Sequence, residues 1–499
     1  MGRFAGKRFE ATRHGSVYAA LDSPPTRGGA KVNPRPVTTS RRMMKTTALA
    51  APLLLSLSLG CSSPSLDAES PVDDGFTSLF DGTSLTGWTV TGGRYDGHAS
   101  WEVQDGVIVG TQGPNGAGGL LYTEESYSSF ELRLEAKIDY PFDSGIFLRM
   151  QPPETQLKGA QITLDYRPDG EVGAIYADGF LAHNTEGKDK FLRDQWNDLR
   201  VRCTGFDMRI ECWLNGELLV DYQLPAGTTG YAPTGLIGLQ VHGARDDEGS
   251  ARFRNVRVRR LPTFGEDTFE PRAGGDGLRK PSASARAAGW EPLFDEGTLD
   301  GWDAHGPSDR YRWDNGVLAF DADGGGGFLS TRADFRDFRL RLDFKLSKMA
   351  NSGVFLRSAR DGSNPAYSGC EVQLLDDFHW EEETGSTLQP WQFTGSLYGA
   401  VPPGDREALQ PIGTWNTYEI LYQGARLAVA LNGRTLYDVD THALAVDPPF
   451  ASRAASGFLG LQHHGEHGIE AETMAWFRNA FVQRLDEPAQ EPTEATGAR

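Results

Sequence analysis

The sequence contains one module twice, and this internal repeat constrains the fold more than any other feature. Nine short landmarks recur in the same order in both halves of the chain. The landmark pairs are the stretches that begin at Phe76 and Trp290, Gly87-Trp88 and Gly301-Trp302, Trp101 and Trp313, Asp105-Gly106 and Asn315-Gly316, Ser144–Arg149 and Ser352–Arg357, Trp196-Asn197 and Trp415-Asn416, Asn215-Gly216 and Asn432-Gly433, Gly238–His242 and Gly460–His464, and Phe253–Asn255 and Phe477–Asn479. Colinearity of this extent indicates a duplicated domain.

The repeat predicts how the chain is divided. Two modules of similar length are joined by a linker rich in Gly, Pro, Ser and Arg. The predicted segments are a leader with a signal at 1–61, a tether at 62–74, the first module at 75–261, the linker at 262–288, the second module at 289–484 and a disordered tail at 485–499.

Both modules have the sequence pattern of β-structure. Phe130–Ile138 and Phe338–Leu346 alternate apolar and charged residues without a break, which predicts strands with one face in a core and the other in solvent. Arg426–Leu431 leads into Asn432-Gly433, a pair that favours tight hairpin turns. Neither module keeps a helical period for long. The sequence therefore predicts an all-β fold of two tandem antiparallel sandwiches of jelly-roll type.

The landmarks resemble those of the 3-keto-disaccharide hydrolase family, formerly a domain of unknown function. The motifs that carry the resemblance are Leu-Phe-Asp-Gly followed by Gly-Trp, Trp-x-Val-x-Asp-Gly, Ser-Gly-Ile-Phe-Leu-Arg, Gly-x-Glu-x-Gln, Trp-Asn, Asn-Gly, Gly-Leu-Gln-x-His-Gly and Phe-Arg-Asn. The resemblance covers both modules. It implies a concanavalin A-like lectin or glucanase sandwich and cleavage of glycosidic bonds in sugars oxidised at C3.

Polar residues on two strands of the second module form the candidate site. Residues two apart in a strand share a face, so Glu371 points with Gln373, and Gln462 points with His464. Aligned polar side chains of this kind suggest a sheet surface that holds sugar. Each also has a plain structural interpretation, since a histidine at a strand end is often only solvated.

Three further residues join this candidate site as substrate-binding groups. Arg357 and Tyr398 are expected beside the polar strands, and Trp391 lies in a longer insert of the second module between Arg357 and Trp415. Indole rings stack well on the C–H faces of pyranose sugars. The alternatives are an Arg357 that pairs with a surface carboxylate, a tyrosine that packs in the sheet and an insert with its own small core.

The two modules differ at the decisive position. Where the second module has Glu371 and Gln373, the first has Gln161 and Thr163. A glutamine cannot act as a general base, because its amide does not ionise. The first module is therefore expected to have lost the chemistry and to bind sugar or to hold the second module in place.

The resemblance implies a reaction that begins at a 3-keto sugar. The ketone acidifies the C2–H, so a base can remove that proton, the C1 oxygen can leave and water can add to the product. Proton abstraction is assigned to Glu371 or His464, with the other residue as acid or orienting partner. Arg357 and Gln373 are expected to stabilise the enolate or hold hydroxyls.

A rival function is a non-catalytic carbohydrate-binding protein at the cell surface, because sandwiches of this type serve both roles. Two copies would favour binding by avidity, whereas loss of the carboxylate in one copy favours an enzyme. A structural envelope protein would explain none of the aligned polar residues.

No cofactor is predicted from the sequence. Candidate metal ligands occur in two groups, but neither has a spacing diagnostic of zinc or iron, and a divalent ion is left open. The groups are His463, His464 and His467, and Asp376, Asp377 and His379.

The net charge argues against nucleic-acid binding, and the leader predicts export. The net charge is −19, although residues 1–60 hold 10 Lys or Arg against 2 Asp or Glu, so the body of the chain is strongly acidic and a poor nucleic-acid binder. The apolar run at 48–59 is too short to span a membrane and resembles a bacterial lipoprotein signal, with Cys61 as the lipidated residue. Ordinary signal cleavage is the alternative. We expect a periplasmic or envelope protein whose membrane contact is a lipid anchor.

Cys203 and Cys212 flank an expected hairpin turn. In an oxidising compartment they could form a cross-strand disulfide, or they could remain two buried thiols.

Overall fold

The computed structural model describes residues 75–225, 228–243, 249–272, 277–294, 297–306, 311–321, 326–465 and 473–486. The predicted leader at 1–61 with Cys61, the tether up to residue 74 and residues 487–499 of the predicted tail lie outside these ranges. Within the described ranges no helix is both long and apolar enough to cross a membrane.

The first module is built of short antiparallel strands. They are β1 (Thr77–Ser78), β2 (Trp88–Thr89), β3 (Ser100–Gln104), β4 (Val107–Thr111), β5 (Gly119–Thr123), β6 (Phe130–Ile138), β7 (Ser144–Met150), β8 (Ala160–Leu164), β9 (Val172–Tyr176), β10 (Phe180–Ala182), β11 (Asn197–Thr204), β12 (Arg209–Leu214), β13 (Glu217–Gln223), β14 (Leu236–Val241) and β15 (Ala251–Arg260).

The linker and the second module continue the series. The linker holds β16 (Phe269–Pro271), β17 (Arg279–Pro281) and helix α1 (Ala283–Ala287). The second module holds β18 (Trp290–Pro292), β19 (Trp302–His305), β20 (Tyr311–Asp314), β21 (Val317–Asp321), β22 (Gly327–Thr331), β23 (Phe338–Leu346), β24 (Asn351–Ser358), α2 (Pro365–Ser368), β25 (Cys370–Leu375), α3 (Trp380–Thr384), β26 (Asn416–Gln423), β27 (Arg426–Leu431), β28 (Arg434–Asp440), β29 (Phe458–His463) and β30 (Thr473–Arg484).

Each module pairs a larger sheet with a smaller one. The larger sheets have the orders β13-β12-β11-β6-β15-β4-β3, with β1 on β15, and β20-β21-β30-β23-β26-β27-β28, with β18 on β30. The smaller sheets have the orders β10-β9-β8-β7-β14-β5-β2 and β19-β22-β29-β24-β25. Apolar side chains from facing sheets fill each core, such as Leu132 with Ile146 in the first module and Leu340 with Val354 in the second. The predicted fold class, two tandem all-β jelly-roll sandwiches, is confirmed.

The alternating strands follow the predicted pattern more closely in the first module than in the second. In β6 the leucines are buried and the charged residues from Arg133 onward are only partly covered, but Glu131 is buried by ion pairs with arginines. In β23 the charged residues Arg341 and Asp343 are buried as well. The linker covers this face: Phe269 lies 5.1 Å from the Arg341 guanidinium, and Asn479, which bonds the linker at Gly277, donates to Asp343 at 2.6 Å.

The predicted Asn-Gly turn is confirmed. Asn432 and Gly433 have φ values of 51° and 75°, and their counterparts Asn215 and Gly216 have 51° and 87°. Positive φ at both central residues is the requirement of the type I′ hairpin, which asparagine and glycine meet at low cost.

A hairpin turn of the first module packs on the larger sheet of the second. Phe206, between β11 and β12, packs against Leu421, Ala428 and Ala430. Beside it, Arg426 donates to Asp207 at 2.6 Å while holding Asp438 of its own sheet at 2.8 Å. The contact joins apolar burial to a partly buried ion pair, so the two modules form one body.

The start of the linker is anchored to the same sheet by a buried carboxylate. Glu419 of β26 accepts hydrogen bonds from the backbone amides of Thr263 and Phe264 at 2.7 and 2.9 Å. The start of the linker and the turn at Phe206 therefore cover part of the outer face of this sheet.

The predicted disulfide is wrong, because Cys203 and Cys212 are free and buried. In the β11–β12 ladder Cys203 lies opposite Ile210, and Cys212 lies opposite Val201. The two thiols are thus diagonal neighbours, and the usual separation of such Cα atoms, about 7–8 Å, is too long for a disulfide. Cys370 is also a free, buried thiol.

Candidate functional site

The smaller sheet of the second module carries the candidate site on its face away from the core, here called the site face. Glu371 and Gln373 project from β25 on this face, since Cys370, Val372 and Leu374 enter the core. The ladder aligns Gln373 with Gly353 of β24, and the neighbouring strands continue this row with Gln462 and Phe328. The sheet therefore brings Glu371, Gln373 and Gln462 together, as predicted.

Glu371 is the most unusual group on the site face. Its side chain leans across the neighbouring strand and occupies the space above Gly353. A Cβ added to Gly353 would lie only 1.9 Å from Glu371 Oε1. The residue is only 4% exposed. Within the described residues no hydrogen bond or ion pair reaches its carboxylate, and burial raises its pKa to about 8. A buried carboxyl without a partner is a typical sign of a functional group.

The two glutamines beside Glu371 offer polar groups to a ligand. Gln462 Oε1 is buried and has no hydrogen-bond partner within the described residues. Gln373 turns its Oε1 toward its own strand, where it accepts from the Leu374 amide at 3.3 Å, so its Nε2 is the group available as a donor. A buried amide oxygen without a partner costs free energy unless a ligand or water bonds it.

Tyr398 and Trp391 border Glu371 on the far side of β25. The Tyr398 amide donates to the Glu371 carbonyl at 2.9 Å, which places these two residues opposite each other. The Trp391 ring meets the Tyr398 ring edge-on at 5.2 Å between centroids. The insert therefore brings an aromatic pair to the edge of the site face.

His464 follows the last residue of β29, two positions beyond Gln462, and is half-buried. No hydrogen bond or ion pair joins it to the Glu371 carboxylate within the described residues. The two predicted catalytic residues thus lie in one sheet without direct contact. A substrate would have to bridge them.

Arg357 is not a substrate-binding residue, and this prediction is wrong. A bulge between Phe355 and Ser358, with Arg357 at φ 52°, turns the side chain out of the strand alternation. Its guanidinium donates to the Gly424 carbonyl at 2.7 Å, to Asp337 at 2.9 Å and to the Arg336 carbonyl. Burial lowers its pKa. The predicted alternative, a pair with a carboxylate, is the observed one.

The matching arginine of the first module has the same role. Arg149 has φ 53° at the corresponding bulge and donates to the carbonyls of Ser128 and Gly205 at 2.7 and 2.8 Å. The landmark arginines of both modules hold chain segments at the sheet rim.

The corresponding face of the first module is closed. Gln161 Nε2 donates to Gln240 Oε1 at 3.0 Å across Gly145, so these two amides satisfy each other. The cavity beside Gln161 holds about 10 Å³, the room of roughly one water molecule. The Tyr95 ring covers Phe147 at 5.6 Å. That cavity is too small for a sugar ring, although Gln161 and Gln240 are themselves partly exposed.

The acidic and histidine residues of the insert have structural contacts. Asp376 is buried and accepts from the Met349 amide at 2.8 Å and from His379 Nδ1 at 2.9 Å. Burial raises the pKa of Asp377 to about 6, although the hydrogen bond from the Thr394 amide acts to lower this pKa. Within the described residues no three His, Cys, Asp or Glu side chains are placed to hold a metal ion. His467 lies outside those residues.

Sequence reasoning missed two residues of the site face, His305 and Phe328. They lie side by side on β19 and β22, with ring centroids 4.2 Å apart and an interplanar angle of 14°. The sequence did contain a signal for His305. Residues alternate between the two faces of a strand, so a buried Trp302 places Asp303 and His305 on the outer face.

A family model for the 3-keto-alpha-glucoside-1,2-lyase-like domain matches residues 75–259 and again 289–483. The chain belongs to this family. The membership confirms the predicted family and supports a glycoside-cleaving enzyme, and both modules match the family model.

A curated relative is the 3-keto-disaccharide hydrolase of Bacteroides thetaiotaomicron, which is 28% identical over an alignment 242 residues long; the match covers 40% of this chain and 80% of the relative. Two crystal structures from Parabacteroides distasonis, described as glycosyl hydrolases, are also similar. One is 27% identical with a TM-score of 0.34 and covers 39% of this chain and 99% of its own. The other is 24% identical with a TM-score of 0.36 and covers 42% and 99%.

Proposed function

We propose that the protein is an exported enzyme that cleaves 3-keto-glycosides, 3-keto-disaccharides in particular, at a single site on the second module. The observation that carries the proposal is the Glu371 carboxyl, buried without a partner in the described residues on a sheet face that also carries Gln373 and Gln462. Family membership supplies the substrate class, and the curated relative's name agrees with it. Export rests on the leader, with Cys61 as the proposed lipid anchor.

Glu371 is the base in this proposal. Its carboxylate removes the C2 proton, and the electron pair forms an enolate on the C3 oxygen. A pKa raised to about 8 makes the carboxylate a stronger base than an exposed glutamate. The Nε2 groups of Gln373 and Gln462 donate hydrogen bonds to the enolate oxygen, the role that sequence analysis gave to Arg357 and Gln373.

Elimination and hydration complete the reaction. The enolate reforms the ketone as the C1–O bond breaks, which leaves a C1=C2 double bond, and His464 gives a proton to the departing oxygen. Water then adds, its hydroxyl to C1 and a proton to C2. The sum is hydrolysis of the glycosidic bond, with a C2 hydrogen that comes from solvent.

The test is product analysis. Purified protein is incubated with 3-keto-disaccharides and with the same sugars unoxidised, and products are identified by NMR. Cleavage of the keto sugars alone is the expected result. Binding without turnover would contradict the proposal and support the carbohydrate-binding alternative, and cleavage of the unoxidised sugars would contradict the keto-dependent route.

A further inference from the structure

His305 and Phe328 form an aromatic surface at the opposite end of the site face from Trp391, here called the His305–Phe328 platform. The two rings are nearly parallel and 4.2 Å apart. Phe328 in turn lies parallel to Phe458 and edge-on to Phe355, each at 5.7 Å. Phe328 is thus packed on its other sides by two buried rings of the same sheet face, while His305 stays exposed.

The platform lies in the same row of the sheet as the reactive groups. The ladder sets Phe328 opposite both Gln462 and His305, and Gln462 adjoins Gly353, over which Glu371 leans. With strands about 4.8 Å apart, Phe328 lies about 10 Å and His305 about 14 Å from Gly353. A sugar above Gln462, beside the carboxylate that leans over Gly353, would therefore have its neighbouring ring at Phe328, the near side of the platform.

The chemistry of the platform fits a neutral sugar ring. Because the two rings stack face to face, the outer face of the His305 imidazole, backed by Phe328, is the one that can take the C–H face of a pyranose. His305 Nε2 bonds Ser330 Oγ at 2.9 Å, which fixes the ring and leaves Nδ1 for a sugar hydroxyl. Burial lowers the pKa of His305, so the imidazole is neutral at pH 7.

The first module lacks the platform. Its sequence has Thr91 where the second module has His305, counted from the Gly-Trp landmark. Leu120 lies opposite Gln240, as Phe328 lies opposite Gln462. The aromatic pair and the unpartnered carboxyl therefore occur together in one module and are both missing from the other.

We infer that the His305–Phe328 platform binds the second sugar ring of the substrate, the leaving group, and so selects disaccharides over simple glycosides. The inference rests on the proposed cleavage of 3-keto-disaccharides. The oxidised ring needs the hydrogen-bond donors near Glu371, whereas the leaving ring needs only a stacking surface and a hydroxyl contact, which the platform provides.

The test exchanges the platform for the first module's residues, His305→Thr with Phe328→Leu. Activity is measured on a 3-keto-disaccharide and on methyl 3-keto-glucoside, which has the same oxidised ring and no second sugar. We expect kcat/KM to fall about tenfold on the disaccharide and to stay within about twofold on the methyl glycoside. The matched control, Thr91→Ala in the first module, should change neither value.

Equal losses on both substrates, or no loss on either, would overturn the inference. Thermal unfolding of the variant within about 2 °C of wild type shows that the fold is kept, and the single variant Phe328→Leu serves if the double variant is unstable. Failure of the wild-type protein to cleave either substrate would instead contradict the proposed function, so the two failures are distinguishable.

Discussion

The smaller sheets of the two modules share five corresponding strands, to which the first module adds β9 and β10, and they differ in how their polar groups are satisfied. In the first module the amides of Gln161 and Gln240 bond each other at 3.0 Å. In the second module the corresponding Glu371 and Gln462 leave a carboxylate and a buried amide oxygen without partners in the described part of the chain. Unpartnered buried groups reduce stability, so a site that retains them is prepared for a ligand.

The difference extends to what covers each face. Arg94 and Lys158 both pair with Asp178, at 3.1 and 3.4 Å, and close the first module over Gln161. The first module also contributes Phe206 and Asp207 to the second module's larger sheet. In the proposed scheme, duplication leaves the reactive groups in the second module and gives the first a supporting role, which is one of the two roles expected from the sequence.

The largest expected effect comes from exchanging the distinguishing residue. Glu371→Gln removes the base without changing the side-chain volume and should lower kcat on a 3-keto-disaccharide by about a thousandfold. The matched control is Gln161→Glu in the first module, which should leave kcat within about twofold. Steady-state kinetics of both variants measures these effects. Comparable losses of kcat in the two variants would show that the two modules do not differ in catalysis.

The glycine beneath each side chain gives the next largest effect. Gly353→Ala puts a methyl group into the space of the Glu371 carboxylate, and we expect a loss of about a hundredfold in kcat. Gly145→Ala meets Gln161 Nε2 at 2.4 Å in the first module and should lower stability without affecting kcat. Activity lost equally in both variants would show that the glycines only support the fold.

The pH dependence should report Glu371. Because Glu371 must be ionised and its pKa is raised to about 8, kcat/KM should rise about tenfold per pH unit on the acidic side of the profile. Loss of the proton that His464 donates should end this rise and lower the rate at alkaline pH. Gln161→Glu should show the same profile. A profile without a rising acidic limb would exclude an ionised Glu371 as the base.

Stability should change in opposite directions in the two modules. The raised pKa means that native Glu371 stays protonated while the unfolded chain ionises, so its contribution to stability is lost between about pH 4.5 and 8. Glu371→Gln should therefore raise the free energy of unfolding at pH 8 by about 2 to 4 kcal/mol, with no gain at pH 4.

Gln161→Glu should instead lower the free energy of unfolding by about 1 to 2 kcal/mol, because the carboxylate cannot donate to Gln240 Oε1. Denaturant unfolding at the two pH values measures both effects. A destabilised Glu371→Gln at pH 8 would show that the carboxyl has a stabilising partner.

Local pattern was enough to predict much of this structure. Strand alternation in Phe130–Ile138 and the Asn432-Gly433 turn depend on neighbours in sequence, so they were predictable. The Gln161 and Glu371 difference was visible for the same reason. Long-range features could not be predicted from local pattern. The burial of Arg341, for example, depends on its contact with the linker.

The errors have specific physical causes. A bulge that no sequence pattern announces turned Arg357 away from the site face. The predicted disulfide does not form, because the register of β11 and β12 places Cys203 two residues away from the position opposite Cys212. Alternation does predict which face His305 takes, but only the strand order places it beside Phe328.

The most direct test of C2 proton abstraction by Glu371 is hydrogen exchange at C2. A 3-keto-disaccharide is cleaved in D₂O, quenched early and compared by NMR with a sample kept without enzyme. Wild type and Gln161→Glu should release product with one deuterium at C2, and Glu371→Gln should incorporate none above the enzyme-free sample. Product that keeps its original C2 hydrogen after cleavage by the wild-type enzyme would contradict the account, because direct hydrolysis never breaks that bond.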